Sequence, residues 1–302
     1  MKDKTIHLSM GKSSDIDPDA YELPDDVDTS KLKSVCFALG PYRNLTTITA
    51  SSLALHPRCQ VLNHAGIRIR SDNKLRFLIS HDNKDFEEFI KYAISASLGG
   101  MRGDYGGSII FSHAFDDPGV REAYRSRFGD DRCKKVVECL FWKESLLITN
   151  YIRNNSVDLD SIFAKNSRLR FMMPVRNPMD CAISNIKTGH MRRFDNSKNM
   201  ATLNSVLHGV LNEILWFVTL QHKHPDRFFT YYEHSINADV IAHMAVFLEL
   251  YPEEEWINSV LSVYKIKSRY DHHPGMIKYY QDFLYKYFSP YPDTMAALKA
   301  FV

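Results

Sequence analysis

Six short apolar runs recur along the chain, separated by longer stretches in which apolar residues return at helical spacing. The runs are KSVCFAL (33–39), QVLNH (60–64), SIIF (108–111), KVVECLF (135–141), RFMMPV (170–175) and FFTYY (228–232). Their β-branched and aromatic content and their length predict strands, several of them buried. The intervening spacing predicts helices over 44–55, 85–98, 145–154, 239–250 and 253–263, with Asn44 or Thr46 as N-cap of the first. A further helix begins at Pro178, because proline suits the first helical position. The glycine-rich stretch 99–107, with Arg102 and Asp104, reads as a loop, and 116–119 as a turn.

Strands alternating with helices predict an α/β fold: three layers, with a mostly parallel central sheet covered by helices on both faces. Residues 1–30 read as a flexible extension, because 15–28 is acidic, holds two prolines and offers few large apolar side chains; residues 31–302 form the domain. In such folds ligands sit beyond the carboxyl ends of strands. Two segments directly follow predicted strands there: Gly40-Pro41-Tyr42-Arg43-Asn44-Leu45-Thr46-Thr47 and Arg176-Asn177-Pro178-Met179-Asp180-Cys181-Ala182-Ile183-Ser184.

Each has the makings of an anion site. The first offers a cation, two hydroxyls and the free amides of a helix start. It lacks the GxxxxGK[ST] pattern, with neither its lysine nor its magnesium-binding Ser/Thr pattern, which argues against a P-loop kinase. In the second, Arg176 can fork onto a phosphate and Ser184 can add a hydroxyl two turns later. Asp180 falls in the first helical turn, where a carboxylate suits the dipole, and reads as a structural cap.

Together the segments resemble the family of sulfotransferases that use 3′-phosphoadenylyl sulfate (PAPS). YRNLTT is similar to the family's P-[KR]-S-G-T-T loop for the 5′-phosphosulfate, and RNPMDCAIS matches its R-x-P-x-D-x-x-x-S motif for the 3′-phosphate at every defining position. The continuation ITASSLALHPRCQVLNHAGIRI looks like the tyrosylprotein and carbohydrate branches more than the cytosolic small-molecule branch. Asn44 and Leu45 stand where family members have Ser-Gly. The resemblance implies a P-loop sulfotransferase-like fold, PAPS as co-substrate, and donor binding by Arg43, Asn44, Leu45, Thr46, Thr47, Arg176 and Ser184. It also implies a basic C-terminal loop on the 3′-phosphate, for which Lys267 and Arg269 are the candidates, while the aromatic stripe of 267–287 reads as core packing.

Sulfuryl transfer needs cations where the leaving oxygen gains charge and a base for the acceptor hydroxyl. The resemblance gives Arg43 and Lys143 the first task, Lys143 because relatives carry a lysine at the end of the strand before the 3′-phosphate strand. For the base, His64 leads by position, His113 is similar to a strand-end histidine of the cytosolic branch, and Glu144 is a third option. A donor-binding scaffold without turnover is the competing reading.

Composition narrows the setting. The 38 basic residues nearly cancel 36 acidic ones, so net charge calls for neither nucleic acid nor an anionic membrane. Cys36, Cys59, Cys133, Cys139 and Cys181 show no CxxC spacing, and the pairs His222/His224 and His272/His273 lack ligand spacing and read as exposed helix-end residues, so neither metal nor disulfides are expected. The N-terminus has no apolar leader, and 206–220 is interrupted by His208, Asn212 and Glu213, reading as too polar to span a bilayer. A cytoplasmic enzyme with a carbohydrate or small-metabolite acceptor is the expectation, and a homodimer is compatible with it.

Overall fold

The computed structural model describes residues 28–194 and 202–302. In chain order the elements are β1 (Ser34–Ala38), α1 (Thr46–Ala54), β2 (Cys59–Asn63), α2 (Gly66–Ser71), α3 (Phe77–Ser80), α4 (Asn83–Ala96), β3 (Gly107–Ser108), α5 (Pro118–Phe128) and β4 (Cys139–Lys143). There follow α6 (Leu146–Asn154), α7 (Leu159–Lys165), β5 (Leu169–Val175), α8 (Pro178–Lys187), α9 (Leu203–Lys223) and β6 (Phe228–Tyr232). The chain ends with α10 (Ala238–Phe247), α11 (Glu254–Val263), α12 (Pro274–Tyr287) and α13 (Pro292–Lys299).

Among the described residues the strands form one six-stranded sheet in the order β3-β2-β4-β1-β5-β6, parallel except for the edge strand β3. Alternate residues of one strand feed opposite faces. Val35 and Phe37 join the core under α4, α6, α8, α9 and α12, whereas Cys36 and Ala38 join the core under α1, α5, α10 and α11. This is the expected three-layer α/β architecture, and burial on both faces explains why the strands read as continuous apolar runs.

Three boundaries differ from expectation, each for a local reason. The first helix starts at Thr46 rather than Asn44, because Arg43 and Leu45 have φ near +65° and +63°, which a right-handed helix excludes. β4 begins at Cys139 rather than residue 135, because Val136 bridges to Asp28 instead. Within 108–111 only Ser108 is in a strand; Ile109–Phe111 turns as a 3-10 helix closed by Ser112 N–H onto the Ile109 carbonyl.

Of the predicted extension, residues 1–27 lie outside the described residues, while Asp28 already exchanges backbone hydrogen bonds with Lys135 and Val137. α9 is long and apolar enough to cross a membrane by length and mean hydropathy, contrary to the reading of 206–220 as too polar. Its packing distinguishes it: Leu207, Val210, Ile214 and Phe217 are buried in the core, and Glu213 pairs with Arg153.

Candidate functional site

Parallel strands place their carboxyl ends on one edge of the sheet, about 4.8 Å apart. Across that edge β2 is followed by His64, β4 ends in Lys143, β1 leads into the Arg43 loop, β5 is followed by Arg176 and β6 by Glu233. The central strand β1 has β4 on one side and β5 on the other, the switch-point arrangement where such sheets bind ligands.

The Arg43 loop is pinned from behind. Gly40 (φ +97°) lies so close to Met173 that a Cβ would fall 2.6 Å from its Cε, and the Gly40 N–H donates to Thr149 Oγ1 at 3.0 Å. Asn185 Nδ2 and Cys181 Sγ, both on α8, donate to the Tyr42 carbonyl. The loop then passes through left-handed Arg43 and Leu45, a conformation costing roughly 1 kcal/mol or more for each side-chain-bearing residue. Leu45 is the N-cap position and supplies no side-chain cap, so the first amides of α1 keep their donor capacity. Thr46 is buried and Thr47 half-buried in that first turn.

Neither Asn44 nor Thr46 caps α1. Asn44 is fully buried, and its Oδ1 accepts the backbone N–H of Arg176 at 2.9 Å while its Nδ2 has no partner among the described residues. Arg43 Nε donates to Ser184 Oγ at 2.9 Å. The two sequence segments are thereby hydrogen-bonded to each other.

In the second segment the cap is Asn177, whose side chain accepts from Met179 N–H ahead of Pro178 at the first position. Asp180, read as a cap, is instead the anchor of the C-terminal segment: its buried carboxylate accepts from Tyr270 N–H (3.1 Å) and His272 Nε2 (2.8 Å) and lies 3.6 Å from Arg176. His272 is therefore largely covered rather than exposed. Arg176 is 4% exposed and donates from Nη2 to the Ser268 carbonyl and hydroxyl; its Nε is buried without a partner among the described residues. Beside it Glu233, missed by sequence reasoning, has its carboxyl raised by burial, partly opposed by Arg176, and its Oε2 is also unpartnered. The rule that flagged the other strand-end residues would have found it.

On the other flank Lys143 Nζ lies 2.7 Å from His64 Nε2. Burial drops the Lys143 ammonium to about 8, Arg43 pushes the same way, and Glu144 opposes. His64 Nδ1 faces the buried Glu144 carboxylate at 3.8 Å. Backbone bonds fix the residue: its N–H donates to the Lys143 carbonyl, and its own carbonyl accepts from Trp142 Nε1. His64 and Ala65 are both left-handed, and the turn packs on Gly106, where a Cβ would stand 2.1 Å from Ala65 N. Four of the eight non-glycine residues with positive φ among those described thus flank this edge.

His113 is not part of the constellation. β3 runs antiparallel, so the chain leaves the carboxyl edge after Gly107, and His113 ends on an exposed turn beside Asp116. The two tail cations also part: Lys267 pairs with Asp117 at 3.0 Å, while Arg269 lines a cleft of about 460 Å³ with Ile183, Lys187, Tyr270 and Asp271. Tyr280, Phe283 and Leu284 of α12 are core residues.

A second cleft, of about 650 Å³, opens on the His64 side between Tyr42, Ile67, Leu147, Asn150 and Tyr151. Arg193, also in its wall, is matched by Asp104 at 2.6 Å. His224 is paired with Asp160, His222 packs on Tyr291, and no group of three metal-ligating side chains occurs among the described residues.

No protein-family model and no curated protein matches the chain. Among solved structures it is similar to the sulfotransferase domain from the Synechococcus PCC 7002 olefin synthase, at 15% identity over 82% of each chain with a TM-score of 0.40.

Proposed function

We propose that the chain is a sulfotransferase that binds PAPS across the Arg43–Arg176 edge and moves its sulfuryl group to a hydroxyl or amine. The observation that carries this reading is the fusion of the two motif segments by the Arg43–Ser184 and Asn44–Arg176 hydrogen bonds. Donors without a partner among the described residues at that seam, Arg176 Nε and Asn44 Nδ2, suit an anion. Arg176, Ser184 and Arg269 would hold the 3′-phosphate; Arg43 and the amides opening α1 would hold the 5′ end.

In the transfer the acceptor oxygen bonds to sulfur as the bridging S–O bond to the 5′-phosphate breaks, and that electron pair leaves on the phosphate. Arg43 and Lys143 stabilise the charge gained there. His64 Nε2 takes the acceptor proton, leaving an imidazolium whose other nitrogen faces Glu144. The 650 Å³ cleft is the acceptor's place. Its aromatic walls and the amide of Asn150, whose Oδ1 is buried and unpartnered, suit a carbohydrate or another polyhydroxylated small molecule.

The test is calorimetry with adenosine 3′,5′-bisphosphate followed by assay with PAPS and a panel of glycosides. Binding that is lost in Arg176→Ala, with transfer to at least one acceptor, is the expected result. Unchanged binding in Arg176→Ala overturns the donor assignment, and binding without transfer to any acceptor favours a scaffold.

A further inference from the structure

The nitrogen that should take the acceptor's proton is already occupied. Lys143 Nζ sits 2.7 Å from His64 Nε2, and an ammonium can donate there only to a ring nitrogen without a proton. The imidazole is then the neutral tautomer with its proton on Nδ1, the nitrogen turned toward Glu144. A base in this state has no free lone pair.

Of the two partners, only the lysine can readily leave. The His64 backbone is held by hydrogen bonds on both sides in a left-handed turn wedged on Gly106. Lys143 carries its charge on four flexible carbons at the last residue of β4, beside the Arg43 loop. The residue is 5% exposed, and its ammonium is disfavoured by burial and repelled by Arg43. An anion bound at that loop offers it a better partner than a neutral imidazole. Asp104, from the glycine-rich loop, and His190, from the turn after α8, also interact electrostatically with His64.

We infer that Lys143 caps His64 in the free protein and that donor binding withdraws it, so that the base is released only when the sulfuryl donor is in place. Lys143 thus does two things with one movement: it uncovers the base and it delivers a cation to the leaving oxygen. Glu144, 3.8 Å from Nδ1, is a positioning residue whose carboxylate favours the proton on that nitrogen. The identity of the anion rests on the sulfotransferase reading; the cap itself does not.

The test uses carbethoxylation by diethyl pyrocarbonate, which attacks the unprotonated imidazole nitrogen, mapped to His64 by peptide mass spectrometry in the full chain. The His64 side chain is 24% exposed, enough for a small reagent. The product nucleotide, adenosine 3′,5′-bisphosphate, lacks the sulfuryl group and leaves space before the ring. Expected are a slow reaction in the free protein, a severalfold acceleration with the nucleotide bound, and a fast reaction in Lys143→Met whether or not nucleotide is present. Removing a buried ammonium leaves the fold intact, which near-ultraviolet circular dichroism verifies. Equal rates in Lys143→Met and the parent, without nucleotide, overturn the cap. Nucleotide that binds by calorimetry yet slows or leaves unchanged the His64 reaction overturns the release. Absence of nucleotide binding overturns the donor reading and the release together, while the Lys143→Met comparison still decides the cap.

Discussion

The side-chain oxygen of Asn44 accepts the backbone N–H of Arg176 at 2.9 Å, standing where a strand would otherwise be. β5 outruns β1: the last backbone bond between them runs from Leu39 N–H to the Met172 carbonyl, and the residues of β5 facing β1 alternate through 168, 170 and 172. Pro174, next in that series, has no N–H to leave unpaired. Arg176 follows, and its N–H would be an orphan in the core without Asn44.

Replacing Asn44 with Ala should therefore cost about 1–3 kcal/mol, the penalty for an unpaired buried donor. The same substitution unties the Arg43 loop from Arg176, so affinity for adenosine 3′,5′-bisphosphate should fall together with stability. Urea denaturation and calorimetry on one preparation check both. A variant with parental stability would show that water satisfies the N–H and that the seam is not built on Asn44.

Much of this was legible because strand ends and helix starts leave strong marks. Arg176, Pro178 and Ser184 follow a buried strand at fixed offsets, and proline fixes where α8 begins. What lay hidden were partners distant in sequence. Nothing near Asp180 announces that it ties down Tyr270 and His272, ninety residues on. Nor does the sequence of β3 reveal that it runs antiparallel and carries His113 away from the edge. Short motifs show which residues could meet an anion; pairing across the sheet decides which of them come together.

Leu45 illustrates the limit within the motif itself. It stands where the resembling family has glycine, yet its backbone is left-handed, as glycine's would be (φ +63°). Leu45→Gly relieves a cost of roughly 1–2 kcal/mol and gives up the partial burial of the side chain, of comparable size, so stability should change by less than about 1 kcal/mol. Nucleotide affinity should rise, because a bare backbone approaches phosphate more closely. Weaker binding in Leu45→Gly would mean that the leucine side chain is itself a ligand contact.

Lys134 gives a pH dependence independent of function. Its ammonium lies over the Phe128 ring and donates to the Ala54 carbonyl, and burial lowers it to about 7. Below that pH the folded protein holds a charge it disfavours. As pH rises from about 7 toward 9 the folded chain releases the proton while the unfolded chain keeps it, so stability should increase with pH, by up to a few kcal/mol. Lys143, lowered to about 8, adds to the upper part of this rise. Buried cysteines raised by desolvation, Cys36 and Cys59 among them, oppose it once unfolded thiols ionise above pH 9. In Lys134→Met the rise should begin near 8 instead of 7. Denaturation midpoints at half-unit steps resolve the two; an unshifted onset contradicts the assignment.

The Asp180 carboxylate joins three groups: Arg176, the Tyr270 N–H and the His272 ring. The segment between α11 and α12 has no regular structure of its own, so its position over Arg176 depends on such ties. Asp180→Asn keeps the shape and one acceptor oxygen but removes the charge that faces Arg176 and the His272 ring, a loss of about 1.5–3 kcal/mol for hydrogen bonds to a charged group. Hydrogen exchange should accelerate in residues 268–272 before it does in α8, since α8 is also held through Tyr42 by Cys181 and Asn185. Adenosine 3′,5′-bisphosphate should restore part of the lost protection, because a phosphate can replace the carboxylate as counter-ion to Arg176. Uniform acceleration across α8 and the segment alike would instead make Asp180 a determinant of the helix itself, with no particular part in holding the tail over the site.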